Sequence, residues 1–311
     1  MGRPQVTGVG SLPHRDIVVA LALVENHCQE FPFLPQLPNL NLNEFLLTQP
    51  FAGGERFFKQ YSSTKLQLEK AQTSAFIEWL ASATVEPLSS YSAAATFLER
   101  YNSKPVSKIK LQWTGPVTIL SLLKVEEESA WTIPELKAAV LARLERQIRD
   151  LAQSLLLIAP EIYLVLDEPM LYLASMDSAA RLGLLQRFAA LTREAGIGVG
   201  VHCCGPLDFS EFFSLDVDVF SFPWTVTDLA GLSACETFKQ RVAGGSIFAL
   251  GLDSITLAQQ EQTAEALRAF CDALSLPFQQ LVLTTDCGLA LAAEVEAERD
   301  FANLDSLASR L

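Results

Sequence analysis

The chain has 311 residues, half of them hydrophobic, and a formal net charge of −13. That acidity argues against a nucleic-acid partner, whose phosphates need Lys and Arg, and no basic stripe offsets it. No run of 18 or more uncharged apolar residues occurs, so no membrane span is expected, and the start MGRPQVTGVGSLPH lacks the apolar stretch of a secretory signal.

A cytoplasmic location is therefore expected, and six cysteines in a reduced compartment do not read as a disulfide framework. Short apolar runs alternate with longer amphipathic stretches along the chain. In order, the runs are Gln5–Gly10, Ile109–Thr114, Ile162–Asp167, Gly198–His202, Val217–Phe222, Ser246–Leu250 and Leu281–Thr285, with Phe31–Leu37 and Thr84–Leu88 as weaker strand candidates. Their continuous hydrophobicity suits strands covered on both faces. Between them, Ile133–Ile158 carries Leu136, Val140, Leu144 and Ile148 at helical spacing. Asp177–Ala195 and Thr256–Leu274 read the same way, with Ser254 or Thr256 capping the latter. Strands alternating with helices imply a parallel sheet, and this many units favour closure into a single-domain TIM (β/α)8 barrel over residues 1–311. The alternative is an open doubly wound sheet. FPFLPQLPNLNLNEFLLTQP (31–50) reads as a long loop with a short helix near Glu44–Leu47, within a loop-rich insertion around 31–60. Such loops are usually lids or binding loops.

In a parallel barrel the chemistry sits at the C-terminal ends of the strands. Those ends read Gly10-Ser11-Leu12-Pro13-His14, Thr114-Gly115-Pro116, Asp167-Glu168-Pro169, His202-Cys203-Cys204-Gly205 and Asp286-Cys287-Gly288. His202 and Cys204, two apart, share one side of a strand, while Cys203 points away. Cys287 stands at the end of another strand. Imidazole plus thiolates suits zinc, and three protein ligands with one open position is the catalytic pattern. The competing reading is ordinary buried core, from which His-x-Cys alone is not distinguished. Cys28, Cys235 and Cys271 fall in helical patterns and read as core, and His27 as a helix-surface residue. Asp167 and Glu168 are the candidate catalytic carboxylates, able to bind a substrate amine or move protons, or else a helix N-cap pair before Pro169. Gly10 and Ser11 offer backbone N–H groups to a carboxylate, or form a plain tight turn. With Asp167 and His14 they make up the candidate substrate-binding set.

Taken together, GVGSLP, TGPVTIL (114–120), LDEPML (166–171), HCC (202–204) and DCGL (286–289) resemble, in order and over most of the chain, the catalytic half of cobalamin-independent methionine synthase. They also resemble the wider superfamily it shares with uroporphyrinogen decarboxylase. The resemblance implies a methyltransferase acting on a small-molecule thiol, with His202, Cys204 and Cys287 as zinc ligands. Gly10 and Ser11 would hold the carboxylate of homocysteine and Asp167 its amine. Zinc would keep the substrate sulfur as a thiolate, the nucleophilic form. Three departures stand out. The family's further glutamate ligand aligns with Pro223, so a fourth ligand is unassigned. The chain holds one barrel where full-length members have two, without the half associated with polyglutamyl folate. His-Cys-Cys-Gly also resembles the His-x-Cys-Gly of corrinoid-dependent methyltransferases acting on coenzyme M. The last two shift the expected donor from methyltetrahydrofolate toward methylcobalamin, with a corrinoid protein as partner. Two competitors are a decarboxylase-like barrel, for which the strand ends offer only Arg15 as a nearby cation, and a barrel that binds zinc or a ligand without turnover.

Overall fold

In the computed structural model, which describes residues 3–82, 87–173, 176–224, 229–252, 256 and 258–311, the apolar runs become strands of one curled parallel sheet. β1 (Gln5–Val6) leads to α1 (Ile17–His27), where the Asp16 carboxylate accepts from Val18 N and Val19 N. β2 (Phe58–Tyr61) and β3 (Leu66–Leu68) form a hairpin, followed by α2 (Thr73–Ser82) and α3 (Ala94–Ser103). Next come β4 (Lys108–Thr114), α4 (Pro116–Leu122), the short hairpin β5 (Leu123–Val125) and β6 (Glu128–Ser129), and the long α5 (Pro134–Leu155). The second half alternates regularly: β7 (Glu161–Asp167), α6 (Ser178–Glu194), β8 (Gly198–His202), α7 (Phe209–Phe212), β9 (Val219–Pro223), α8 (Leu229–Ala234), α9 (Glu236–Ala243), β10 (Ile247–Leu252), α10 (Gln260–Leu274), β11 (Leu281–Thr285) and α11 (Glu294–Ala308).

The main sheet has seven strands in the order β1-β11-β10-β9-β8-β7-β4. The gap between β1 and β4 is filled by the segment Phe31–Leu37. Lys110 N donates to Pro32 O (2.9 Å), Leu34 N to Lys110 O (2.9 Å), Gln36 N to Gly10 O (3.0 Å) and Leu12 N to Gln36 O (2.9 Å). Both isolated bridges of this segment, Phe33 with Lys110 and Ser11 with Gln36, are parallel. It therefore occupies the eighth position of a TIM barrel. Pro32 and Pro35 lack N–H groups, which breaks the ladder and keeps the segment from being a regular strand.

Register places side chains in layers inside the barrel, because paired residues of parallel strands share a face. Tyr163 stands beside Gly198, Val165 beside Gly200, and Gly200 beside Val219. A Cβ on Gly200 would lie 2.8 Å from Val219 Cβ and 2.9 Å from Val165 Cγ2, so only glycine fits there. Phe31, Val219, Ile247, Ala249 and Val282 close the lower interior as one buried cluster. The opposite sheet face packs on helices through Leu164, Leu166, Val201, Phe220, Phe248 and Leu250, all buried. Each such side chain contributes about 1.5–3 kcal/mol.

A second sheet, in the order β2-β3-β5-β6, joins the β2–β3 hairpin to the distant β5–β6 hairpin, beside an aromatic cluster of Phe51, Phe57, Phe58, Phe76 and Trp79. The helix expected near Glu44–Leu47 is replaced by two 3-10 turns, Leu42–Glu44 and Gln49–Phe51, since Pro50 and the Asn residues interrupt helical hydrogen bonding. Of the strand candidate Thr84–Leu88, residues 84–86 lie outside the described residues, and Pro87–Ser90 is a 3-10 turn. Ser254 also lies outside them, while Thr256 bonds Gln259 and does not cap α10 directly. Cys235 is not within a helix but at the half-buried junction of α8 and α9. His27 ends α1, half-buried, 3.7 Å from Asp305. Among the described residues no helix is long and apolar enough to cross a membrane.

Candidate functional site

Three neighbouring strand ends place Asp167, His202 and Ser221 side by side, because Asp167 pairs with His202 and His202 with Ser221 in register. His202 is buried, and its Nδ1 lies 2.9 Å from Ser221 Oγ. With Nδ1–H donating to the hydroxyl, Nε2 is left as the lone-pair nitrogen. It is buried and has no partner of ordinary hydrogen-bond geometry. Cys204 follows at the mouth, half-buried, and Cys203 turns into the core as strand alternation requires.

Cys287 arrives from the loop after β11. Thr285 Oγ1 donates to Cys287 O (2.7 Å), and Leu289 N donates to Ser11 O (2.9 Å), which fastens this loop to the end of β1. A Cβ on Gly288 would sit 2.2 Å from Ser11 Oγ, so glycine lets the hydroxyl keep its present direction. The Cys287 thiol interacts with both Cys204 and His202. That contact, followed by burial, raises the Cys204 thiol, while Cys287 is lowered by Cys204 first and His202 second. The two thiols thus share one titration, and their contact favours a single thiolate between them. These contacts are looser than ordinary hydrogen bonds. Among the described residues no group of three or more His, Cys, Asp or Glu side chains is disposed to hold a metal ion as it stands. The donor chemistry nonetheless fits zinc: one buried imidazole nitrogen without a partner and two thiols in contact.

These groups line a cavity of about 230 Å³ with Ser11, Gln36, Glu44 and Gly288, beneath Phe45, Leu46, Ser63 and Thr64 from the insertion. Its charged lining residues are Asp167 and Glu44, and no Lys or Arg is among the described residues that line it. Burial raises the Asp167 carboxyl, with His202, Gln112 and Lys110 drawing it back. Glu44 is spent on structure: Leu37 N (2.6 Å), Ser92 N (2.8 Å) and Ser92 Oγ (2.5 Å) all donate to it. A wider cleft of about 390 Å³ lies at the other end of the barrel, but no His or Cys lines it.

Of the residues expected at a site, the structure brings Ser11, Asp167, His202, Cys204 and Cys287 together. It does not bring Glu168, His14 or Gly10 to the cavity wall. The Glu168 carboxylate is fully buried under α4, accepting from Val117 N (2.9 Å), Thr118 N (2.7 Å) and Thr118 Oγ1 (2.7 Å). It is a cap for α4, which leaves it no proton-transfer partner in the cavity. His14 is fully buried beside Glu294 and Glu298, and burial lowers its pKa. Gly10 lies below Ser11, its carbonyl taken by Gln36 N. Pro223 ends β9 without a side-chain donor atom, as the sequence implies. Sequence reasoning misses Ser221, Gln36, Lys110 and Gln112. The available signal is a polar side chain inside an apolar run, as in VFSFP and KIKLQWT.

No protein-family model matches the chain, and no curated protein matches it. Solved structures do. A methyltransferase from Methanosarcina mazei superposes with a TM-score of 0.62 at 15% identity, covering 98% of this chain and 94% of that one. A candidate vitamin-B12-independent methionine synthase from Listeria monocytogenes gives 0.54 at 15% identity, covering 94% and 85%. At that identity the likeness establishes the fold.

Proposed function

We propose that this chain is a methyltransferase that moves a methyl group onto the sulfur of a small-molecule aminothiol, homocysteine fitting best, with one zinc ion held by His202, Cys204 and Cys287. The observation that carries the proposal is the meeting of those three side chains beside Asp167 at the mouth of a closed barrel. Two of the solved structures with this fold are named as a methyltransferase and a candidate vitamin-B12-independent methionine synthase, which supports the reading. When bound, zinc would hold the acceptor sulfur as thiolate at neutral pH.

The rest falls to the chain itself. Ser221 fixes the His202 ring so that Nε2 faces the thiols. Asp167 offers the acceptor a carboxylate for its amine, and Ser11, from the end of another strand, offers a hydroxyl to the same cavity. An acidic lining without Lys or Arg suits an amine-bearing thiol, and the amine is the group that homocysteine has and coenzyme M lacks. Aligned in this way, the sulfur attacks the donor's methyl carbon in line. The sulfur–carbon bond forms as the donor–methyl bond breaks, and the electron pair leaves with the donor. The cavity is too small for a large donor as well, so the methyl group is presented at the open mouth beside exposed Cys287. A methylcorrinoid carried by a corrinoid protein is the donor we propose, with methyltetrahydrofolate as the alternative.

Metal analysis tests the site: about one zinc per chain is expected, and Cys204→Ser should lose it. Unchanged zinc in that variant rejects the ligand assignment. Turnover of homocysteine with methylcobalamin and with methyltetrahydrofolate tests the donor, and activity with the folate alone rejects the corrinoid. The absence of a side-chain donor atom on Pro223 favours one second reading, a zinc- or ligand-binding barrel without turnover. Zinc and thiol binding with neither donor consumed would establish it.

A further inference from the structure

Lys110 is on β4, below the cavity floor and 2% exposed. A lysine this deep is rare unless it is fully partnered. Its Nζ donates to Gly8 O (3.0 Å), Val9 O (2.5 Å) and Gln112 Oε1 (2.8 Å), using all three donors of an ammonium. The first two acceptors belong to the strand end that runs straight into Ser11 on the cavity wall. The third orients the Gln112 amide. Gln112 is itself buried, its Nε2 meets no partner of ordinary hydrogen-bond geometry, and its side chain favours the ionised Asp167 carboxylate. The ammonium charge acts on Asp167 as well.

We infer that Lys110 is the positioning residue for the acceptor's amino-acid end, tying the Ser11 wall and the Asp167 wall to one buried nitrogen through its hydrogen bonds and so setting the span between them. The inference rests on the functional reading above. Lys110 touches neither the proposed metal nor the acceptor. It acts through Gly8, Val9 and Gln112, and Gln112→Leu separates the two arms because it spares the bonds to Gly8 and Val9.

Calorimetric titration of zinc-loaded wild type, Lys110→Met and Gln112→Leu with homocysteine, 3-mercaptopropionate (no amine) and 2-mercaptoethanol (neither amine nor carboxylate) tests it. Lys110→Met should weaken homocysteine about tenfold or more and 2-mercaptoethanol less than about twofold. Gln112→Leu should weaken homocysteine but leave 3-mercaptopropionate unchanged. Equal weakening of all three thiols, or wild-type affinity for homocysteine in Gln112→Leu, overturns the inference while the functional reading stands. If wild type does not prefer homocysteine to 2-mercaptoethanol, the functional reading falls and the inference with it. Should Lys110→Met fail to fold, Gln112→Leu decides alone.

Discussion

A Cβ on Gly115 would lie 2.2 Å from Cδ of Glu168. Two motifs that read separately in the sequence, TGPVT and LDEP, are therefore one device. Gly115 clears the space, Pro116 opens α4, and Glu168 reaches across from the end of β7 to the exposed N–H groups of that helix.

Glu168→Ala should leave the Val117 and Thr118 amides buried without partners, at about 1–3 kcal/mol each. Urea denaturation should show a loss of roughly 3 kcal/mol, with zinc content unchanged. Gly115→Ala should destabilise comparably by displacing the same carboxylate. A Glu168→Ala protein of wild-type stability would refute the capping role.

Ser221→Ala removes the partner of His202 Nδ1 and frees the ring to turn. Under the zinc proposal, metal affinity should fall about 10- to 100-fold, measured by competition with a chromophoric chelator. Unchanged affinity would show that the hydroxyl does not orient the ligand.

Burial lowers Lys110 from its usual 10.5 to about 7, with Asp167 and Cys28 opposing the shift. Above pH 7 the folded chain has released a proton that the unfolded chain keeps until near 10.5, so the unfolded state binds more protons over that window and stability rises with pH. Urea denaturation at pH 7 and pH 9 should show wild type gaining stability relative to Lys110→Met. A difference that is the same at both pH values would mean that the ammonium stays charged throughout.

Gly288→Ala should turn the Ser11 hydroxyl away from its present direction, since the added Cβ would lie 2.2 Å from Ser11 Oγ. We expect a raised KM for the acceptor with zinc content retained, checked by steady-state kinetics and metal analysis. Unchanged KM would remove Ser11 from the acceptor site.

The local order of the chain is legible in its residues alone. Unbroken apolar runs such as Ile162–Asp167 and Gly198–His202 match β7 and β8 closely, because strands buried on both faces select hydrophobic residues at every position. The side of the strand on which His202 and Cys204 lie, and the inward turn of Cys203, follow from the two-residue repeat. Phe31–Leu37 is only faintly marked, since its prolines suppress the strand pattern while the barrel still needs an eighth member. What tertiary structure alone decided was partnership across elements. Asp167 and Glu168 are adjacent carboxylates of similar chemistry, yet one faces the cavity and the other is consumed by α4, because neighbouring residues on a strand point to opposite faces and each face meets a different part of the chain. Lys110, Gln112 and Ser221 give little signal, for their roles lie in contacts with residues as far away in sequence as Gly8. Such contacts depend on how the strands are arranged in space, and no one-dimensional spacing records that.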